Sequence, residues 1–355
     1  MYKTIESILQ CPIKKERLRF VDSVTNEDTL IHSPSLRKFE QGFLNISRTV
    51  FYPVIHDIIF LMPEYSVSDD RYASDKDILS VQDFYNTLGW KKGAWGDYFD
   101  YTLFSDQRDV ARSYKQQYAE RIFPFLNKQG KYLLDIASGP VYQEVNKQYG
   151  KNFEYRICMD ISVEALKGAQ QNLKDHQAYF IVGDITNIPL RDNCCDNVMS
   201  NHTLYHVPRH KQPTAVQELV RVCAPGSKVI ISYNWGWHSM IMNISLFPFR
   251  LIRFVRRLQK IYLPESVNKQ SGAGLYFYSH SPGFFIRNKP ESCKLEFSVL
   301  NTLHEDFIKI YLSRGKWSRK FLDFLLKLEN RYPKFFGKHG AFGLMVYQKI
   351  SSSNA

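Results

Sequence analysis

Between Lys131 and Tyr233 the chain alternates short apolar runs with helical stretches, and three successive runs close on an aspartate. Tyr132 to Ile136, Tyr155 to Asp160 and Ala178 to Val182 read as strands. None alternates strictly between apolar and polar residues, so each is covered on both faces. Val141 to Tyr149 can form a helix between the first two. A clearer helix opens at Val163, with Ser162 as its N-cap. A fourth strand at Asn197 to Ser200, a helix from Pro208 to Cys223 and a fifth strand from Ser227 to Tyr233 continue the series. Strand–helix alternation with short connections specifies an open parallel α/β sheet.

The rest of the chain sets limits. At about 150 residues per domain, 355 residues allow two or three domains, and a hydrophobic fraction of 44% excludes a disordered chain. The most apolar early stretch, Val50 to Met62, is interrupted by Pro53, His56 and Asp57 and is too short to cross a bilayer. The first residues lack the charged-then-apolar order of a secretory signal, so a cytoplasmic protein is expected. Six cysteines without a CxxC pair imply free thiols in a reducing compartment and no metal site.

The net charge of +12 is unevenly spread. Residues 1–65 carry 8 basic and 8 acidic side chains, 66–130 carry 9 and 10, and 131–236 carry 11 and 10. Residues 237–355 carry 19 and 7, so the excess belongs to the last third. It is either a solvated basic face or a field directed at an anionic partner: a phosphate, a carboxylate, a lipid surface or RNA.

In an open α/β sheet, ligands bind beyond the carboxyl ends of the strands. Asp135, Asp160 and Asp184 lie there. One alone could be a turn former or a cap, but three in register point to a site. The order resembles the class I S-adenosylmethionine-dependent methyltransferases over residues 105–236 and the closing strand at 342–349. Tyr132-Leu133-Leu134-Asp135-Ile136-Ala137-Ser138-Gly139-Pro140 is similar to their glycine-rich first motif. Asp160 with Ile161 falls where their ribose-binding acid closes the second strand, and Gly183-Asp184-Ile185 where their adenine-binding acid follows the third. The resemblance implies a Rossmann-like α/β sheet with S-adenosyl-L-methionine as cofactor. It implies binding by Asp135, Ala137, Ser138, Gly139, Asp160, Ile161, Gly183, Asp184, Ile185, Ser200 and Asn201. Of the family's three glycines only Gly139 is kept; Ala137 and Val141 replace the others, so the loop either bends differently or is fixed by Pro140. A nicotinamide enzyme is disfavoured, because the G-x-G-x-x-G loop is missing.

Methyl transfer is an in-line displacement, and a base is needed only when the acceptor carries a proton. His202 and His206, four apart and sharing a face on a helical turn, are the candidates, with Tyr205 between them. Their alternative roles are packing against the cofactor and capping. His238, His280, His304 and His339 are weaker candidates.

Residues 1–65 resemble a degenerate Trm112-like zinc ribbon, with Cys11-Pro12 as the first knuckle and Lys14 where a second cysteine would stand. Residues 66–130 form a linker and helices over the cofactor site, including a helix from Asp106 to Phe125. The insertion at 237–341 sits where such enzymes place substrate-binding additions, and 342–355 supply the final strand and tail. Within the insertion, Arg250, Arg253, Arg256, Arg257 and Lys260 stud an apolar stretch, 244–263, fit for a lipid surface or an anionic substrate. A Gly-rich aromatic loop spans Ser271 to Phe285, and basic helical sequence spans Glu305 to Arg331. The expected activity is O- or N-methylation of a small anionic or amphiphilic biosynthetic intermediate of secondary-metabolite type. An rRNA or tRNA methyltransferase and a non-catalytic cofactor-binding subunit are the alternatives; RNA is the weaker, since the ribbon segment is charge-neutral and no Asn-Pro-Pro-aromatic motif follows the fourth strand.

Overall fold

The computed structural model describes residues 2–22, 29–70, 72, 76–90, 114, 117–260 and 275–351. Helix α1 (Tyr2–Glu6) and the short strands β1 (Leu18–Val21), β2 (Gly42–Asn45), β3 (Phe51–Ile55) and β4 (Ile58–Phe60) precede α2 (Lys76–Phe84). The alternating region holds β5 (Gly130–Ile136), α3 (Glu144–Lys147), β6 (Phe153–Asp160), α4 (Val163–Asn172), β7 (Ala178–Val182), β8 (Cys195–Asn201), α5 (Gln212–Val222) and β9 (Cys223–Asn234). The last third adds α6 (Met240–Lys260), α7 (Pro282–Arg287), β10 (Cys293–Asn301), α8 (Glu305–Tyr311), α9 (Lys316–Arg331), α10 (Pro333–His339) and β11 (Phe342–Lys349).

The strands form one sheet in the order β1-β2-β3-β4-β7-β6-β5-β8-β9-β11-β10. Strands β7, β6, β5, β8 and β9 are mutually parallel, and β11 runs antiparallel between β9 and β10. This is a Rossmann-like α/β sheet, as the strand–helix alternation predicts. Its central strands are apolar and buried along their length: all five residues of β7 are buried. The order of β6, β5 and β8 reverses the direction of winding at β5, which opens the crevice for a ligand.

Local chemistry sets the helix ends. Ser162 caps α4 by accepting a hydrogen bond from the Ala165 amide at 3.2 Å. The helix expected from Val141 starts only at Glu144, because Pro140 and Val141 remain in the loop. The basic run from Glu305 divides into α8 and α9, separated around Gly315, the N-cap of α9. Strand β10, with Leu295, Phe297 and Val299 at every second position, is an element the sequence reading did not anticipate.

The N-terminal segment packs on the central sheet. Strand β4 pairs in parallel with β7, Ile58 opposite Phe180 and Phe60 opposite Val182, so the segment extends the central sheet. It is also sewn to the loop before β8, where Gln10 N donates to Pro189 O at 3.0 Å and Arg191 N to Ile8 O at 2.8 Å. The Cys11 thiol lies 3.3 Å from the Tyr52 hydroxyl and accepts from Lys14 N at 3.2 Å, so its polar neighbours come from its own chain.

The insertion has a core of its own around Met242, Leu246, Ile308, Leu322, Leu325 and Leu326. Glu329, fully buried, ties it to the sheet: it accepts from Tyr114 Oη and Arg121 Nη2, each at 2.7 Å, and from Thr302 N at 3.1 Å. Helix α10 lies directly on the β10–β11 hairpin; a Cβ on Gly337 would meet the Ser298 carbonyl at 2.4 Å. Most of the expected Asp106–Phe125 helix, residues 91–104, and 261–274 lie outside the described residues, as do the side chains of 253–260.

Candidate active site

A cavity of about 280 Å³ lies at the carboxyl ends of β5, β6, β7 and β8. Of the eleven expected cofactor-side residues it is lined by Asp135, Ala137, Ser138, Gly139, Asp160, Ile161, Gly183, Asp184, Ile185 and Asn201. Ser200 points away from it, its hydroxyl buried without a hydrogen-bond partner.

The loop after β5 explains how one glycine serves for three. Ala137, Gly139 and Val141 have φ of 51°, 59° and 47°, so alternate residues all adopt the left-handed conformation. The loop therefore keeps the path that three glycines would take, with strain stored at Ala137 and above all at β-branched Val141. Gly139 is where the backbone must come close: a Cβ there would lie 3.2 Å from the Trp90 ring. Trp90 stacks on Tyr85 at 5.4 Å, and both line the cavity. The turn carrying them is held by Ser162 Oγ donating to Asn86 Oδ1 at 2.8 Å and by Gln82 Nε2 donating to Ile161 O at 2.8 Å.

The three aspartates are held differently. Asp135 forms a buried ion pair with Arg156, whose Nη1 also donates to Asn146 O at 2.7 Å. Asp184 caps its own turn, accepting from Thr186 N at 2.8 Å and Thr186 Oγ1 at 2.6 Å. Asp160, 6% exposed, accepts from Gly139 N at 3.0 Å and Ser162 N at 2.9 Å, with no cation against it among the described residues. Burial pushes its carboxyl up to about 6, against the pull of those amides.

His202 and His206 line the same cavity, but not as a helical pair. Only Leu204–His206 forms a turn, while His202 sits before it at φ 57°, its amide donating to Ser232 Oγ at 2.8 Å. Burial lowers both imidazoles to about 4, reinforced at His202 by its neighbour His206, so both are neutral at pH 7. The Nδ1 of His206 lies 2.8 Å from the Tyr276 carbonyl, which only accepts. Nδ1 therefore carries the proton, and Nε2 holds a lone pair. Tyr205, expected beside them, does not line the cavity: it is 7% exposed and packs on Tyr233 and Phe277. The reason is the tight turn, which points Tyr205 into the core.

Arg156, Tyr85 and Trp90 were not singled out from the sequence. Arg156 left a signal, being the one charged side chain inside an otherwise apolar strand interior.

A protein-family model for a methyltransferase domain matches residues 134–231. This stretch is similar to that family. Norajmaline N-methyltransferase from Rauvolfia serpentina is 28% identical over 172 residues, which cover 43% of this chain and 57% of that enzyme. The chain thus matches less than two thirds of that relative's length. Among solved structures, magnesium protoporphyrin IX methyltransferase from Synechocystis with bound SAH aligns over 77% of this chain and all of its own, at 12% identity and a TM-score of 0.44. A DhpI-SAM-HEP complex aligns over 78% of this chain and all of its own, at 14% identity and a TM-score of 0.46.

The residues around the cavity would suit S-adenosyl-L-methionine on their own geometry. The left-handed loop brings backbone to the cavity wall, Asp160 keeps acceptor capacity beyond its two amide bonds, and Asn201 Oδ1 is buried without a partner. No helix among the described residues is long and apolar enough to cross a membrane.

Proposed function

We propose that the chain is an S-adenosylmethionine-dependent methyltransferase that O- or N-methylates a small anionic or amphiphilic biosynthetic intermediate. The observation that carries it is Asp160: a buried carboxylate with no cationic partner among the described residues, fixed by two amides and open to one cavity. Asp160 would accept from the ribose hydroxyls and Asp184 from the adenine amine, with the 137–141 loop alongside. The bound cofactor supplies a sulfonium methyl open to in-line attack. His206 would take a proton from the acceptor at Nε2, held in that tautomer by Tyr276 O, while His202 packs beside it. Tyr85 and Trp90 would close the cavity against water. The N-terminal segment would serve as a brace for β7 rather than as a metal-binding ribbon.

Calorimetry with S-adenosylhomocysteine tests this. Wild type should bind, and Asp160→Ala should lose about a hundredfold in affinity, the worth of two charged hydrogen bonds; equal binding by the two would refute the reading.

An amphiphilic acceptor agrees with α6. Met240, Ile244, Phe247 and Leu251 are exposed at helical spacing, next to Trp237, which is 76% exposed with Arg250 over its ring at 4.7 Å. Together with the basic excess of 237–355, this stripe suits an anionic lipid surface. Co-sedimentation with phosphatidylserine vesicles, weakened in Trp237→Ala/Phe247→Ala, is the check.

A further inference from the structure

We infer that a second cavity, of about 430 Å³ and adjoining the first, binds a tetrahedral phosphate-type oxyanion carried by the methyl acceptor. The assignment to the acceptor rests on the methyltransferase reading; the oxyanion site does not. Arg209 and His210 reach the cavity from the loop before α5, His238 from the turn after β9, Tyr278 and His280 from the strand-like strap before α7, and Arg287 from α7. No carboxylate lines it among the described residues.

His280 shows that this is a built site and not merely a basic surface. It is 9% exposed, stacks on Phe284 at 3.6 Å and 4°, and its backbone amide donates to Tyr233 Oη at 2.9 Å. Its Nε2 is buried with no hydrogen-bond partner, a cost that a small shift of the ring toward the cavity and a ligand oxygen there would remove. The arginines are arranged around it. Arg209 lies over the Tyr278 ring at 4.9 Å, and Arg287 folds back over the start of its own helix, its Nη1 3.4 Å from where a Gly283 Cβ would stand. His238 is anchored by Nε2 donating to Ser279 O at 3.2 Å. Donors converging from separate segments suit the several oxygens of a tetrahedral dianion better than a planar carboxylate.

The two cavities share a wall. Pro208 lines the first and Arg209 the second, and the strap is tied across both by His206 Nδ1 donating to Tyr276 O and Tyr278 N donating to Tyr205 O at 2.8 Å. An acceptor held by its phosphate in the second cavity would therefore extend toward His206. Burial, then the charges of Arg209 and His238, lowers the His280 imidazole, partly offset by the Arg209 carbonyl. An entering anion cancels those charges, so binding should take up a proton at Nε2, which then donates to the ligand.

Titration of the full chain with inorganic phosphate at low ionic strength tests the site. Binding at a fixed pH of 8, where phosphate is a dianion, should weaken at least tenfold in Arg209→Gln/Arg287→Gln and in His280→Phe, which keeps the stack on Phe284. S-adenosylhomocysteine should bind those variants as it binds wild type, which shows them folded. No phosphate binding, or equal binding by the variants, overturns the site. Labelled S-adenosylmethionine with a small-molecule extract then distinguishes the ligand's source. Labelled product lost after phosphatase treatment of the extract assigns the phosphate to the acceptor, and product insensitive to phosphatase overturns that assignment. Failure of wild type to bind S-adenosylhomocysteine would instead refute the methyltransferase reading while the phosphate titration stands by itself.

Discussion

The two cavities share one wall and recognise charge by opposite means. In the first, the buried carboxylates of Asp160 and Asp135 are held by backbone amides and by Arg156 respectively, and half-buried Asp184 by its own turn. In the second the charged groups are arginines and histidines, mostly exposed, around one buried imidazole. A fixed ligand is served by backbone geometry, which every residue shares and which water cannot screen. A variable ligand is served by side chains at loop ends, which can be exchanged without refolding the sheet. The charge-neutral domain and the basic insertion express the same division along the chain.

The strongest test of this contrast is His206, which belongs to both sides: it lines the first cavity and holds the strap that walls the second. His206→Gln should lower turnover by about a hundredfold or more, the range of a lost general base, while S-adenosylhomocysteine affinity stays near wild type. A fall in cofactor affinity instead of turnover would make His206 a cofactor-side residue.

Acid should separate the cavities next. Asp160 protonates near pH 6, so S-adenosylhomocysteine affinity should fall by up to about tenfold per pH unit below 6, whereas the second cavity holds no such carboxylate among the described residues. Stability follows its own signs. The raised carboxyl of Asp160 favours the folded state more as pH falls from about 6 toward 3.8. His202 and His206, lowered to about 4, act the other way: the unfolded chain binds their protons first, so stability is lost as pH falls from 6.5 toward 4. Two groups outweigh one, and urea unfolding should show a net loss between pH 7 and pH 5. His202→Asn should flatten that slope; a slope unchanged by it would mean that His202 is solvated.

Salt gives a smaller effect. Raising ionic strength from about 0.01 M to 0.15 M shortens the screening length from about 30 Å to 8 Å. Phosphate affinity should drop several-fold, and S-adenosylhomocysteine affinity should stay within about twofold. Parallel calorimetric titrations check this, and an equal salt response at both sites would abolish the contrast.

The sequence was legible where chemistry is local and illegible where it is not. The strands with Asp135, Asp160 and Asp184 at or just past their ends could be read because a buried parallel strand is a short apolar run, and an acid at its end is conspicuous. The joining of β4 to β7 could not, since three residues, Ile58 to Phe60, carry no mark of their partner. The second cavity is harder still: Arg209, His238, His280 and Arg287 come from four segments that only the strap brings together. Strand β10 did leave a signal in its alternating Leu295, Phe297 and Val299, which the surrounding basic residues obscured. The reading of His202 and His206 as a helical pair found the right cavity through the wrong geometry, because the left-handed φ of His202 is not written in the residue type.

The loop after β5 is the place where sequence and backbone disagree most, and it yields the smallest effect. Left-handed backbone costs a non-glycine residue about 1–2 kcal/mol. At Ala137, which is partly buried, replacement by glycine gives that up for a fraction of a methyl group's burial, about 0.8 kcal/mol in full, and about 0.5 kcal/mol of chain entropy. Ala137→Gly should therefore stabilise by about 0.5 kcal/mol. Val141 is 2% exposed and packs against Leu166 and Ala169 in the cluster under α4. Losing that side chain costs about 1.5–3 kcal/mol, more than the strain released, so Val141→Gly should destabilise by about 1 kcal/mol. Urea denaturation of the two variants decides between conformation and packing as the reason this chain departs from glycine. Stabilisation by both would mean that the loop is merely strained; destabilisation by both would mean that its left-handed turns cost less than the side chains contribute.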